Sequence, residues 1–340
     1  MFKTVNRKFL TSIVVSLFLI LFIIYLGVTN GMFDIPVYDV FSTMFGFGND
    51  PDFELVLFKL RLPRIIIGAL VGAGLGLAGL VLQGISRNDL ADPGILGINA
   101  GAGAAILVFV FYFQWNVGGL ESLAMFSMPL FALIGGLFAA VLLYMFTWRK
   151  GRLDSERFIL VGIGLNFGLD AIALYFGMKL ESHEYEKARA WLSGSIWNAN
   201  WDFILALLPW LLVFIPIIWW RATVLDLFQL DENGAKNLGV SVNKEKGILL
   251  FSCVALVSAC VAVSGGISFV GLLAPHIAKT MVGIKHRLAI PITMLIGMVL
   301  VLGSDFIART IVQPAEIPSG VVLSIVGVPY FVYLLYKSMK

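Results

Sequence analysis

Apolar runs of about twenty residues, divided by short polar or charged breaks, recur along the whole chain. A run of that length is what an α-helix needs to cross the hydrocarbon of a bilayer. The runs predict about ten spans, near 9–29, 62–84, 94–113, 124–148, 158–180, 202–220, 247–263, 267–284, 289–307 and 319–336. The weakest is 267–284, where Pro275, His276 and Lys279 crowd the second half. Trp115, Trp148, Trp201, Trp219 and Trp220 fall at segment ends, the place of an interfacial aromatic belt. The first run, Phe9–Thr29, follows Lys3, Arg7 and Lys8 as a secretory signal would, but it contains no alanine and is longer than a signal's apolar core. It reads as a span that stays in the membrane.

The stretch from Arg61 to Ala105 organises the rest. It opens with two arginines around Pro63, runs apolar, breaks at Arg87–Asn88–Asp89 and turns apolar again, which predicts two spans joined by a tight turn. Gly68, Gly72 and Gly76 recur every fourth residue, so all three share one helical face on which a neighbouring backbone can approach closely. Gly74, Gly76 and Gly79 also spell G-x-G-x-x-G. That fingerprint has chemistry only at a strand-to-helix turn with an acidic residue about 20 positions on, so inside an apolar helix it reads as packing.

Hydrophobic residues make up 59% of the chain and charged ones 13%, about half the charged share of a soluble domain. Most of the surface must therefore face lipid, and the expected fold is an all-α polytopic membrane protein. The formal charge of +3 gives no reason to expect a nucleic-acid partner, and its distribution matters more than its sum. Ten spans with the N-terminus inside leave only Lys59, Arg61, Arg64, Lys179, Lys187, Arg189 and Arg309 outside, with every other basic residue inside. That bias fits the positive-inside rule with both termini cytoplasmic. Cys253 and Cys260 are about 10 Å apart along one helix, too far for a disulfide. His183, His276 and His286 show no metal-ligand spacing, and the chain calls for no cofactor or metal of its own.

Few ionisable residues fall within spans. Asp170 and Asp305 are the clearest, with Asn166 and Gln83 as neutral companions, and carboxylates at membrane depth are functional candidates. Asp305 lies four residues before Arg309, which predicts an ion pair fixing the last outer loop; the role of Asp170 stays open. His276 reads as a hydrogen-bonded packing residue. Thr223–Lys246 is too short and too charged to span. Its apolar patches, Leu225, Phe228, Leu230, Ala235, Leu238 and Val240, are interrupted at Gly234 and Gly239, which suits two short surface helices with a bend. Ala78–Gly94, carrying Leu90-Ala91-Asp92-Pro93, has an echo in Val263–Pro275, ending in Leu273-Ala274-Pro275; inverted repeats of this kind occur in transporters.

Six stretches in order carry a resemblance. They are RLPR at 61–64, LAGLVLQGISRNDLADPGILG at 77–97, WLSGSIW at 191–197, AKNLGV at 235–240, GGISFVGLLAPHIAK at 265–279 and SDFIARTIVQPAEIPSGVVLSIVGVPYFVYLL at 304–335. Together they resemble the FecCD-type permeases of binding-protein-dependent ABC importers for iron-siderophores, haem and vitamin B12, over roughly residues 55 to 336. The chain departs from the family's usual pattern at Asp89, where proline is usual, and at Asp231, Lys279 and Ser319, where glycine, arginine and valine are.

The resemblance implies a single permease domain over residues 1–340, with residues 223–246 forming a cytoplasmic coupling loop. Leu225, Phe228, Leu230, Glu232, Ala235, Leu238 and Gly239 would then meet cytoplasmic ATP-binding subunits. It further implies that Arg61, Arg64 and Arg309 meet glutamates on an extracytoplasmic substrate-binding protein; anchoring a helix end by snorkelling is the other reading of these arginines. A second permease copy or a paralogue would complete the pathway. The chain has no G-x-x-x-x-G-K-[ST], so it cannot cradle nucleotide phosphates itself and is expected not to be an enzyme. The rival class is an ion-gradient-driven secondary transporter, which calls for midplane carboxylates or broken helices; here only Asp170 applies.

Overall fold

The computed structural model describes residues 2–31, 35–47, 50–116, 121–149, 152–153, 155–230, 232–312 and 315–338. Its helices in chain order are α1 (Phe2–Thr29), α2 (Val37–Met44), α3 (Pro51–Glu54), α4 (Leu62–Ser86), α5 (Ile98–Asn116), α6 (Glu121–Thr147), α7 (Ser155–Gly177), α8 (Ser182–Leu192), α9 (Trp201–Trp220), α10 (Ala222–Leu227), α11 (Glu232–Asn237), α12 (Val242–Ser264), α13 (Val270–Val282), α14 (His286–Thr310) and α15 (Ser319–Ser338). A π-helical turn, Leu55–Arg61, joins α3 to α4, and a 3-10 turn, Pro93–Leu96, precedes α5. β1 (Trp148–Arg149) and β2 (Arg152–Leu153) make a small antiparallel ribbon between α6 and α7.

Among the described residues, seven helical stretches are long and apolar enough to cross a membrane: Arg7–Thr29, Pro51–Ser86, Leu130–Thr147, Leu160–Gly177, Trp201–Trp220, Val242–Ser264 and His286–Thr310. Ile98–Tyr112, Val270–Val282 and Ser319–Leu334 are shorter apolar helices. The span expected over 267–284 is corrected to the 13 residues of α13, about 20 Å of helix against a hydrocarbon core of about 30 Å. The cause is local. Gly265 and Phe269 take left-handed φ angles of 66° and 69° before the helix starts, and Gly283 does so at 86° after it ends.

The core is built around α4, which packs against α14, α12, α13 and α9. Its central pairing with α14 is antiparallel. A Cβ on Gly72 would lie 2.3 Å from the Gly297 carbonyl oxygen, one on Gly76 would lie 3.0 Å from that of Thr293, and one on Gly68 would lie 3.1 Å from the Leu302 side chain. The two backbones therefore touch at Gly72 and Gly297, where no larger side chain fits. The other glycines of the G-x-G-x-x-G string face other neighbours, Gly74 against Cys260 of α12 and Gly79 against the Gly271 backbone of α13. A string that imitates a nucleotide loop is thus divided among the three helices α12, α13 and α14. Cys253 and Cys260 are both buried free thiols, and Cys253 Sγ donates to the Ala78 carbonyl at 3.3 Å.

Candidate functional site

Polar side chains gather at the two ends of α4. One cluster begins at the N-terminal end of α4, with Arg61 closing the π-helical turn and Arg64 in the first turn of α4. Arg64 grips Asp305 of α14 with two nitrogens, Nε at 3.0 Å from Oδ2 and Nη2 at 2.9 Å from Oδ1. Its Nη1 reaches Glu316 Oε2 at 2.9 Å. Both Arg64 and Asp305 are buried, and a two-pronged guanidinium–carboxylate contact is the geometry that repays such burial best. The i,i+4 pair expected between Asp305 and Arg309 gives way to this one, because the Arg64 guanidinium meets the carboxylate in a plane from a facing helix.

Arg309 instead donates Nη2 to the Gly27 carbonyl at 2.8 Å, and Arg61 Nη1 donates to the carbonyl of Val28. These two oxygens belong to the last turn of α1, where carbonyls have no partner within the helix and the helix dipole favours a cation. Arg309 Nε is buried without a hydrogen-bond partner. The three arginines predicted on the outer side therefore form one cluster bridging α1, α4 and α14. Arg61 and Arg64 are buried and Arg309 is half-buried.

The other cluster joins α10 and the turn after it to the C-terminal end of α4 and the start of α14. Asp226 Oδ1 accepts the backbone N–H of His286 at 2.8 Å and lies 2.7 Å from its Nδ1, so it caps the first turn of α14 from another helix. Arg87, in the left-handed conformation with φ 54° at the end of α4, donates Nε to the Phe228 carbonyl at 2.6 Å. Gln229 reaches the Ile284 carbonyl at 3.1 Å. Gly84 leaves room for this contact: a Cβ there would lie 3.0 Å from Leu225 and 3.2 Å from His286 Nε2.

The residues proposed for coupling divide by face. Leu225, Phe228 and Ala235 are fully buried within the chain, while Leu230 and Leu238 are 45% and 62% exposed, beside an exposed Gly239 at φ 83°. The Glu232 side chain lies outside the described residues.

Between the two ends, the segments that echo one another in sequence meet. Pro93 packs on Gly271, and Gln83 Nε2 reaches the Gly271 and Leu272 carbonyls at 3.5 and 3.4 Å. Lys279 ties this region to the turn after α4 through Asp89 at 2.7 Å and Gln83 Oε1 at 3.0 Å. Asp92 Oδ1 accepts the Gly94 backbone N–H at 2.6 Å. His276 meets Tyr330 of α15 edge to face at 5.9 Å. Asp170 is exposed on α7.

Sequence reasoning missed Glu316, Arg87, Asp226 and His286. Arg87 and Asp226 stand in stretches already singled out, but nothing in the sequence indicates which distant residue each one meets.

The FecCD transport family model matches residues 17–337. The iron-uptake system permease protein FeuC of Bacillus subtilis is 50% identical over 322 residues, covering 95% of this chain and 96% of that protein. The iron(3+)-hydroxamate import system permease protein FhuG of the same organism is 44% identical over 336 residues, 99% of each. In structure, a protein described as a metal-chelate type ABC transporter in an inward-facing conformation is similar with a TM-score of 0.81 at 29% identity, over 95% of this chain and 97% of that one. A family match spanning 17–337, together with relatives aligned end to end, establishes that the chain belongs to the FecCD transport family and is a multi-pass protein of the cell membrane.

Proposed function

We propose that the chain is the permease subunit of an ABC importer that moves an iron-siderophore, or a similar iron chelate, across the cell membrane. ATP is hydrolysed on separate cytoplasmic subunits. The observation that carries this reading is the 50% identity, over 95% of the chain, to an iron-uptake permease. The cluster at the C-terminal end of α4 supports it: Leu230 and Leu238 stand outward on a segment fastened to α4 and α14, as a docking element for an ATPase needs. Haem and vitamin B12 are the alternative cargoes. Uptake of labelled iron-siderophores, haem and vitamin B12 in a deletion strain complemented with this chain tests the assignment, and uptake of haem or vitamin B12 alone overturns the iron-siderophore reading.

In the proposed topology the three shorter apolar helices join the seven longer ones, giving about ten membrane-embedded segments with both termini cytoplasmic, as the basic-residue bias favours. Reporter fusions after Lys150 and Lys340 are expected to report cytoplasm, and fusions near Asp50 and His183 the outside. Opposite signals at two of these sites break the arrangement.

The substrate-binding protein docks on the outer rim braced by Arg61, Arg64 and Arg309. Any partner carboxylate must compete with Asp305 and Glu316 for Arg64, so Arg309, the least buried of the three, is the best placed for direct contact. A second permease copy or a paralogue covers the face of α7 that carries Asp170, because a carboxylate at membrane depth does not face hydrocarbon.

A further inference from the structure

We infer that the groove between the start of α1 and the end of α13 is a binding site for an anionic phospholipid of the cytoplasmic leaflet. The groove, open along one side, offers about 510 Å³ and is lined by Arg7, Lys8, Thr11, Ser12 and Val15 of α1 and by Met281 of α13. Lys8, Thr11, Ser12 and Val15 fall at i, i+3, i+4 and i+7, one face of the helix, so the lining grades from cation through hydroxyl to apolar going into the membrane. A phospholipid has the same gradient, from phosphate through glycerol ester to acyl chain.

The Thr11 and Ser12 hydroxyls donate to the carbonyls of Arg7 and Lys8 at 2.8 Å each. The donors facing a phosphate are therefore the guanidinium and the ammonium, and the hydroxyl oxygens line the level of the esters. No carboxylate is among the described lining residues, so the site selects for negative charge. Only 17% of the apolar window of α1 is buried within the chain, which leaves its flank open to lipid. Basic pockets between helices on the cytoplasmic side are where anionic headgroups bind. The inference rests on the proposed membrane orientation and not on the cargo, so a failed uptake assay leaves it standing.

The test is native mass spectrometry of the full chain released from nanodiscs of mixed phosphatidylglycerol and phosphatidylcholine. Wild type is expected to retain phosphatidylglycerol selectively. The Arg7→Gln/Lys8→Gln variant should bind it roughly 30-fold more weakly, the equivalent of about 1 kcal/mol for each of two cations near an anionic surface. Val15→Trp, which fills the groove and leaves both charges in place, should also lose it, while Arg7→Lys/Lys8→Arg should keep it. Retention unchanged by either disruptive variant overturns the site, as does equal retention of phosphatidylcholine or displacement by excess inorganic phosphate. Selective loss in the charge variant but not in Val15→Trp also overturns it, because that pattern describes a diffuse surface field and not a groove.

Discussion

α4 and α7 carry the same small-residue signature and meet opposite surroundings. In α4, Gly68, Gly72 and Gly76 recur every fourth residue, the α4 window is 83% buried, and a Cβ on Gly72 collides with the α14 backbone. In α7, Gly164 and Gly168 have the same spacing, but the α7 window is 17% buried and a Cβ on either glycine meets nothing within 4 Å. The buried helix keeps its charge at one end, where Arg64 is paired, whereas the open helix carries an exposed Asp170. The same glycine spacing therefore marks a close backbone approach in α4 and none within the chain in α7.

Filling both glycine repeats separates α4 from α7 most strongly. Gly72→Leu forces α4 and α14 apart along their crossing and is expected to cost more than about 5 kcal/mol, at the extreme of single substitutions, so that little folded chain survives detergent extraction. Gly168→Leu should change the stability of the single chain by less than about 1 kcal/mol, with any loss appearing only in assembly or transport. Thermal unfolding in detergent reads both, and equal losses would erase the distinction.

The charges give the next largest effect. Arg64→Met leaves Asp305 buried without its cation and should cost about 3–5 kcal/mol, as when one partner of a buried pair is removed. Asp170→Asn should leave the melting temperature of the isolated chain unchanged. A larger shift for Asp170→Asn than for Arg64→Met would show that the open face of α7 is closed within the chain.

Of the losses expected within the packed core, the smallest sits at the C-terminal end of α4. Arg87→Ala and Asp226→Ala each remove hydrogen bonding that joins α10 and the turn after it to α4 or α14, at about 1–3 kcal/mol. In the reconstituted complex they are expected to uncouple, with ATP hydrolysis kept and uptake lost. Joint loss of hydrolysis and uptake would instead mean that the segment fails to dock.

The sequence made the apolar helices legible and left their surroundings illegible, for a physical reason. Hydrophobicity reports that a residue avoids water, and lipid and a packed neighbour satisfy that equally, so α4 and α7 look alike until the fold is seen. Within a helix, i,i+4 spacing is readable, which is why Asp305 was matched to Arg309. Its actual partner Arg64 lies 241 positions away, beyond any local rule. The 223–246 stretch is short and charged and so reads as surface, yet Leu225 packs against Gly84, Phe228 is buried, and the Phe228 carbonyl accepts from Arg87. Pro275, His276 and Lys279 already mark 267–284 as the weakest span, but the start of α13 is set by the left-handed φ of Phe269, a conformation that nothing in its side chain announces.

If the chain is an ABC importer subunit, it moves its cargo only when a separate ATPase drives it. Proteoliposomes containing the permease with its ATP-binding subunits and loaded binding protein test it directly, by following labelled iron-siderophore uptake with ATP and with an imposed proton or sodium gradient in turn. Uptake is expected to require ATP and to be indifferent to ionophores. Uptake by the permease alone, driven by an ion gradient and abolished by Asp170→Asn, would contradict it.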